Sequence, residues 1–120
     1  MVGNVHFNTT NQLGCNKEHG FVNKTVTSLE HEHINKFVLL ERGDCHFVTK
    51  VRNVALNGGQ LAIIIDNKNE DIKGVTMTDD GTGAGIRIPS VLIGNADGQK
   101  LKNYILTASE EDVKKIKFNI

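Results

Sequence analysis

The sequence predicts an α/β fold, several strands and two helices in a mixed arrangement, and three stretches carry that prediction. FVLL (37–40) and LAIII (61–65) are short continuous apolar runs, the pattern of strands buried on both faces. Between them, residues 47–56 shift to a helical period, with short connections at either end. Strand, helix and strand joined this tightly imply a right-handed crossover and parallel pairing. At 120 residues and 38% hydrophobic content the chain suits a single domain over 1–120 whose core needs no metal. With no Trp and one Tyr, that core must come from Ile, Val and Leu, which favour β structure.

Taken in order, residues 1–36 are polar and irregular, with a short strand over 3–7. Residues 37–40 form the first strong strand. Phe47, Val51, Val54 and Ala55 then fall on one helical stripe, with Lys50, Arg52 and Asn53 elsewhere on the circle. Asp44 stands where it can cap this helix, and Gly58-Gly59 ends it in a left-handed C-terminal cap. Residues 61–65 are the clearest strand, stopped by DNKNED (66–71). A weaker strand covers 72–78, and DDGTGAG (79–85) is a loop. Ser90–Ile93 form a strand after Pro89. Asn95 caps a second helix carrying Leu101, Tyr104 and Ile105 on one face. Near the end, Ile116, Phe118 and Ile120 alternate as in a strand.

Lys plus Arg equal Asp plus Glu at 14 each, so the chain has no bulk attraction for nucleic acid or for a membrane surface. No apolar run approaches the ~20 residues of a spanning helix. The N-terminal stretch lacks the basic and apolar regions of a signal peptide. The chain stops on alternating apolar residues, which favours a domain excised from a larger protein. His31, His33 and His46 match no zinc spacing, so no metal is expected. The glycines of 79–85 fail the dinucleotide fingerprint, whose third glycine position is Ile86. In 66–71, Lys68 replaces a ligand of the EF-hand pattern. Both stretches read as solvated turns, and no cofactor is expected.

The densest chemistry lies in ERGDCHF (41–47). Gly43 permits a tight turn, and Arg42 is expected to point outward with several donors free for a carboxylate or backbone carbonyls. Cys45 beside His46 and Asp44 raises the alternative of a nucleophilic thiol, although sequence neighbours rarely face each other and catalytic bases usually come from elsewhere in a fold.

FVLLERGDCHFVTKVRNVALNGGQLAIIIDN (37–67) resembles the core of a protease-associated (PA) domain. Its parts are an apolar strand, an RGxCxF-type turn, a helix with a glycine-bearing cap, and a second apolar strand ending in Asp-Asn. IPSVLIGNADGQKLKNYI is similar to the family's Ile-Pro-Ser strand and last helix. The resemblance spans 37–105 and looks closest to the lumenal PA domains of vacuolar sorting receptors and membrane-anchored RING ubiquitin ligases. It implies a twisted β-barrel or sandwich flanked by helices, the swivelling β/β/α arrangement, with no catalysis of its own. It also implies a module that binds a peptide or protein segment in the secretory lumen or outside the cell, within a larger, membrane-anchored protein. Carried over by position, the peptide site comprises Arg42, Gly43 and Asp44, with His46 beside them. A different reading of the same family is a PA insert that regulates substrate access in a secreted subtilase or zinc aminopeptidase.

Relatives of that kind have a cysteine in each of the regions holding Cys15 and Cys45, which implies a disulfide; two free thiols remain the other possibility. The sequons at Asn8 and Asn23 fit a lumenal glycoprotein, but with 13 Asn and 12 Ser or Thr in the chain, chance alone supplies about one.

Overall fold

The structure, a computed structural model, describes residues 2–16, 35–71, 88–108 and 117–119. In chain order these form β1 (Val2–His6), β2 (Asn35–Glu41), α1 (Phe47–Leu56), β3 (Leu61–Ile65), β4 (Ser90–Ile93), α2 (Asn95–Thr107) and β5 (Lys117–Asn119). The strands lie in one sheet in the order β4-β3-β2-β1-β5. Strands β1 to β4 are parallel, and β5 returns antiparallel along β1.

The continuous apolar runs follow from this arrangement, because each face of the sheet is covered by a helix. Phe37, Leu39, Leu61, Ile63 and Ile65 join Val5 on one face, beneath Leu101 and Ile105 of α2. Val38, Leu40, Ala62 and Ile64 point the other way, beneath Val51 and Val54 of α1. Every residue of β3 is buried, so a polar residue on either face would be stranded from water. Helix α2 lies so close to β3 that a Cβ on Gly98 would sit 2.3 Å from Ile65 Cγ2. The mixed α/β sheet with flanking helices is thus present. A second layer of strands, as a barrel or sandwich needs, is not seen among the described residues.

Helix α1 ends as its glycines predict. Gly58 has φ +84°, the Gly59 amide donates to Val54 O at 2.9 Å and the Gly58 amide to Ala55 O at 3.2 Å. These are the paired bonds of a Schellman cap.

Other expectations are corrected. The residue capping α1 is His46, not Asp44, and it makes no side-chain bond to the helix. Gly94, not Asn95, caps α2; the Asn95 side chain instead donates to Asp66 O at 2.9 Å. Lys50 and Asn53, assigned to the polar side of α1, are buried. Tyr104 is 52% exposed rather than part of the packed face of α2. Asp66 is fully buried, not part of a solvated turn. The strand expected over 72–78, the loop 79–85, and His31, His33 and Asn23 lie outside the described residues.

Candidate functional site

Because β1 to β4 are parallel, their carboxyl ends share one edge of the sheet. In open parallel sheets that edge is where binding sites form. Here β2 delivers Glu41 and Arg42, β3 delivers Asp66, and β4 delivers the start of α2. The ladder runs just past the strands: the Arg42 amide donates to Ile65 O and the Asp66 amide to Ile93 O, both at 2.9 Å.

The chain then reverses within three residues. The Cys45 amide donates to Gly43 O at 2.8 Å across Asp44, which has φ +71°. This is a γ-turn of the rarer hand, a conformation that stores strain and that surrounding structure must enforce. Gly43 has φ +128°, open to glycine and costly for other residues. The turn is tighter than a capped helix start requires, so Asp44 ends at its exposed tip, short of the amides of α1. His46 is exposed as well.

Arg42 lies behind this tip. Its Nη1 donates to Asp66 Oδ1 at 3.0 Å and to Glu70 Oε1 at 2.9 Å, and the guanidinium carbon stands 5.5 Å from the centre of the Phe47 ring. The arginine was expected to point outward without partners; instead an ion pair holds it, because a buried carboxylate at the end of β3 needs a counter-charge. The side chain keeps 28% exposure, and neither Nε nor Nη2 is bonded among the described residues. The Asp66 hydrogen bond raises the Arg42 pKa above its ordinary value, outweighing the opposing effect of burial. For Asp66, burial pushes the carboxyl up, but hydrogen bonds from Arg42 and the Lys68 amide, with the Arg42 charge, bring it below its ordinary value. Asp66 Oδ2 is buried without a partner among the described residues.

On the other side of the turn, Cys15 and Cys45 are joined by a disulfide with Cα atoms 5.9 Å apart. No thiol remains at Cys45 to act as a nucleophile, and His46 has no sulfur to activate. Residues 9–16 are also tied down by α1. Lys50 Nζ donates to Leu13 O and, at 2.7 Å, to Gly43 O; Asn53 Nδ2 donates to Gly14 O at 2.9 Å. Burial lowers the Lys50 pKa to about 8, against the nearby charges of Asp44 and Glu41. The Glu41 amide adds a bond to Gln12 O at 2.8 Å. A further brace crosses the edge, where Lys102 of α2 pairs with Glu41 at 2.7 Å and lies 5.7 Å from the Phe7 ring centre.

Asn8 is half-buried. Its side-chain oxygen accepts bonds from the Thr10 amide at 3.0 Å and the Thr10 hydroxyl at 2.7 Å. Among the described residues, no cluster of His, Cys, Asp and Glu could hold a metal, and no helix is long and apolar enough to cross a membrane.

The sequence pattern located the turn but missed the groups that hold it: Asp66, Glu70, Lys50 and Asn53. One signal was available for Asp66, which follows five apolar residues without a spacer.

Comparison with known proteins agrees with this arrangement. The family model of the PA domain matches residues 2–101. The chain is 40% identical over 68 residues, 57% of its length, to a receptor homology region, transmembrane domain- and RING domain-containing protein of Oryza sativa. It is 30% identical over 113 residues, 88% of its length, to vacuolar-sorting receptor 2 of Arabidopsis thaliana. It is also 39% identical over 74 residues, 60% of its length, to the E3 ubiquitin-protein ligase Godzilla of Drosophila melanogaster. The matched regions make up 12%, 17% and 13% of those relatives. The chain belongs to the PA domain family.

Proposed function

We propose that this chain is a non-catalytic binding module of a larger, membrane-anchored protein, displayed in the secretory lumen or outside the cell. Its ligand is an extended peptide segment that crosses the turn formed by Arg42, Gly43, Asp44 and His46. One observation carries this reading. Arg42 is fixed by Asp66, Glu70 and Phe47 through one nitrogen and one ring face, while its other donors meet no partner among the described residues at the carboxyl edge. A planar fork held still in this way suits a carboxylate or a run of peptide carbonyls, and little ordering entropy is left to lose on binding. The relatives support the setting: one is named as a sorting receptor, another as carrying a transmembrane and a RING domain.

Arg42→Lys tests the site, because lysine retains a charge for Asp66 but loses the fork. Titration against an array of extended peptides should show affinity falling about tenfold, with the unfolding midpoint little changed. Equal affinity in the variant would remove the turn from the ligand site.

A further inference from the structure

The loop 9–16 lines an open depression of about 530 Å³ on the far side of the Arg42 turn. We infer that this depression is a subsite for an uncharged, hydrogen-bonding side chain of the same peptide; the inference rests on the peptide reading above. Three observations support it.

The first is rigidity. A polar surface loop ordinarily needs few anchors, yet this one receives the donors of two buried side chains, Lys50 and Asn53, a strand amide from Glu41 and the disulfide. Within the loop, Asn11 Nδ2 donates to Asn16 O at 2.9 Å and the Asn16 amide returns to Asn11 Oδ1 at 3.4 Å. A depression held open by so many bonds costs a ligand little reorganisation.

The second is continuity. A Cβ on Gly43 would stand 3.5 Å from Asn67 Nδ2 and 3.8 Å from Leu13 Cδ2. Gly43 therefore lies between the Asn67 side of the turn, which holds Arg42, and the Leu13 side, which belongs to the loop 9–16. An extended chain crossing Gly43 can reach both sides within a few residues, at ~3.3 Å per residue.

The third is chemistry. Among the described residues, no charged side chain lines the depression. The Gln12 amide and the Thr9 hydroxyl bond to no group among the described residues, so donors and acceptors remain available. An ionic side chain would find no counter-charge among the described lining residues, and an apolar one would displace water from the Gln12 amide without replacing its bonds.

The test is a positional-scanning library of N-acetylated, C-amidated hexapeptides on the immobilised 120-residue chain. At one position the wild type should prefer Asn, Gln, Ser or Thr over apolar and charged residues. Gln12→Leu should weaken the preferred peptide about fivefold and flatten the preference at that position, while the Arg42-dependent positions stay as they were. Thr9→Val gives a second readout at an exposed side chain, and a thermal melt confirms that each variant folds. Selection unchanged in both variants, or an apolar or charged preference at that position, would overturn the subsite while leaving the Arg42 site intact. A wild-type chain that binds no peptide would overturn both.

Discussion

At the scale of single residues, the Arg42–Asp66 pair joins stability to recognition. Asp66 is buried at the end of β3, and its Oδ1 takes bonds from Arg42 and from the Lys68 amide at 3.2 Å. Truncating Arg42 to Ala would leave a buried carboxylate without its cation. Breaking such a pair costs about 3–5 kcal/mol when both partners are buried; the partial exposure of Arg42 reduces this to about 2 kcal/mol. Arg42→Ala therefore confounds folding with binding, and only Arg42→Lys separates them. The sign with pH follows. The Asp66 pKa lies below the ordinary 3.8 in the folded chain, so its pairing stabilises the fold above that value and is lost as acid protonates it. In urea titrations, the gap between wild type and Arg42→Ala should be largest near neutral pH and narrow below pH 3.8. A gap independent of pH would mean that the guanidinium contributes packing rather than charge.

At the scale of elements, α1 both packs and clamps. Val51 and Val54 close one face of the sheet, while Lys50 and Asn53 hold the 9–16 loop to the turn. Periodicity showed only the first role. The apolar stripe of α1, the buried strands and the Gly58-Gly59 cap were legible because each depends on local pattern. The second role was not legible, because Lys50 also bonds Leu13 O, 37 residues earlier in the chain, and helical spacing alone assigns a lysine to water. The cap residues were misread for a related reason: the γ-turn at Asp44 draws in the residues that would otherwise start the helix. The lysine clamp has a measurable consequence. Burial lowers the Lys50 pKa to about 8 from 10.5, so between those values the unfolded chain holds a proton that the native chain has released. Stability should rise with pH across that window. The rise should be absent in Lys50→Met, as read from unfolding free energies at pH 7.5, 9 and 10.5. A wild-type curve that is flat or falling there would show that Lys50 stays charged in the fold.

At the scale of the whole molecule, two kinds of support divide the work. The sheet and its helices form an apolar core that needs no cross-link, and its carboxyl edge fixes Arg42. The loop 9–16 contributes no residue to either apolar cluster and is held by polar bonds and one covalent link. The Cys15–Cys45 bond has a sequence separation of 30, for which chain entropy gives about 3–4 kcal/mol. In Cys15→Ser/Cys45→Ser that contribution disappears, and the melting temperature should fall by roughly 10–15 °C. The core should survive, since its contacts do not pass through the sulfurs, so far-UV circular dichroism should be retained while peptide affinity drops as the depression loses a wall. The same bond fits the proposed lumenal setting, because disulfides persist in oxidising compartments. Secreted from eukaryotic cells, the chain should carry the disulfide as a mass two daltons below the dithiol and a glycosidase-sensitive glycan at Asn8, whose sequon lies at the carboxyl edge. Free thiols and an unmodified Asn8 in that material would argue against a lumenal setting, and would leave the loop to the bonds from Lys50, Asn53 and the Glu41 amide among the described residues.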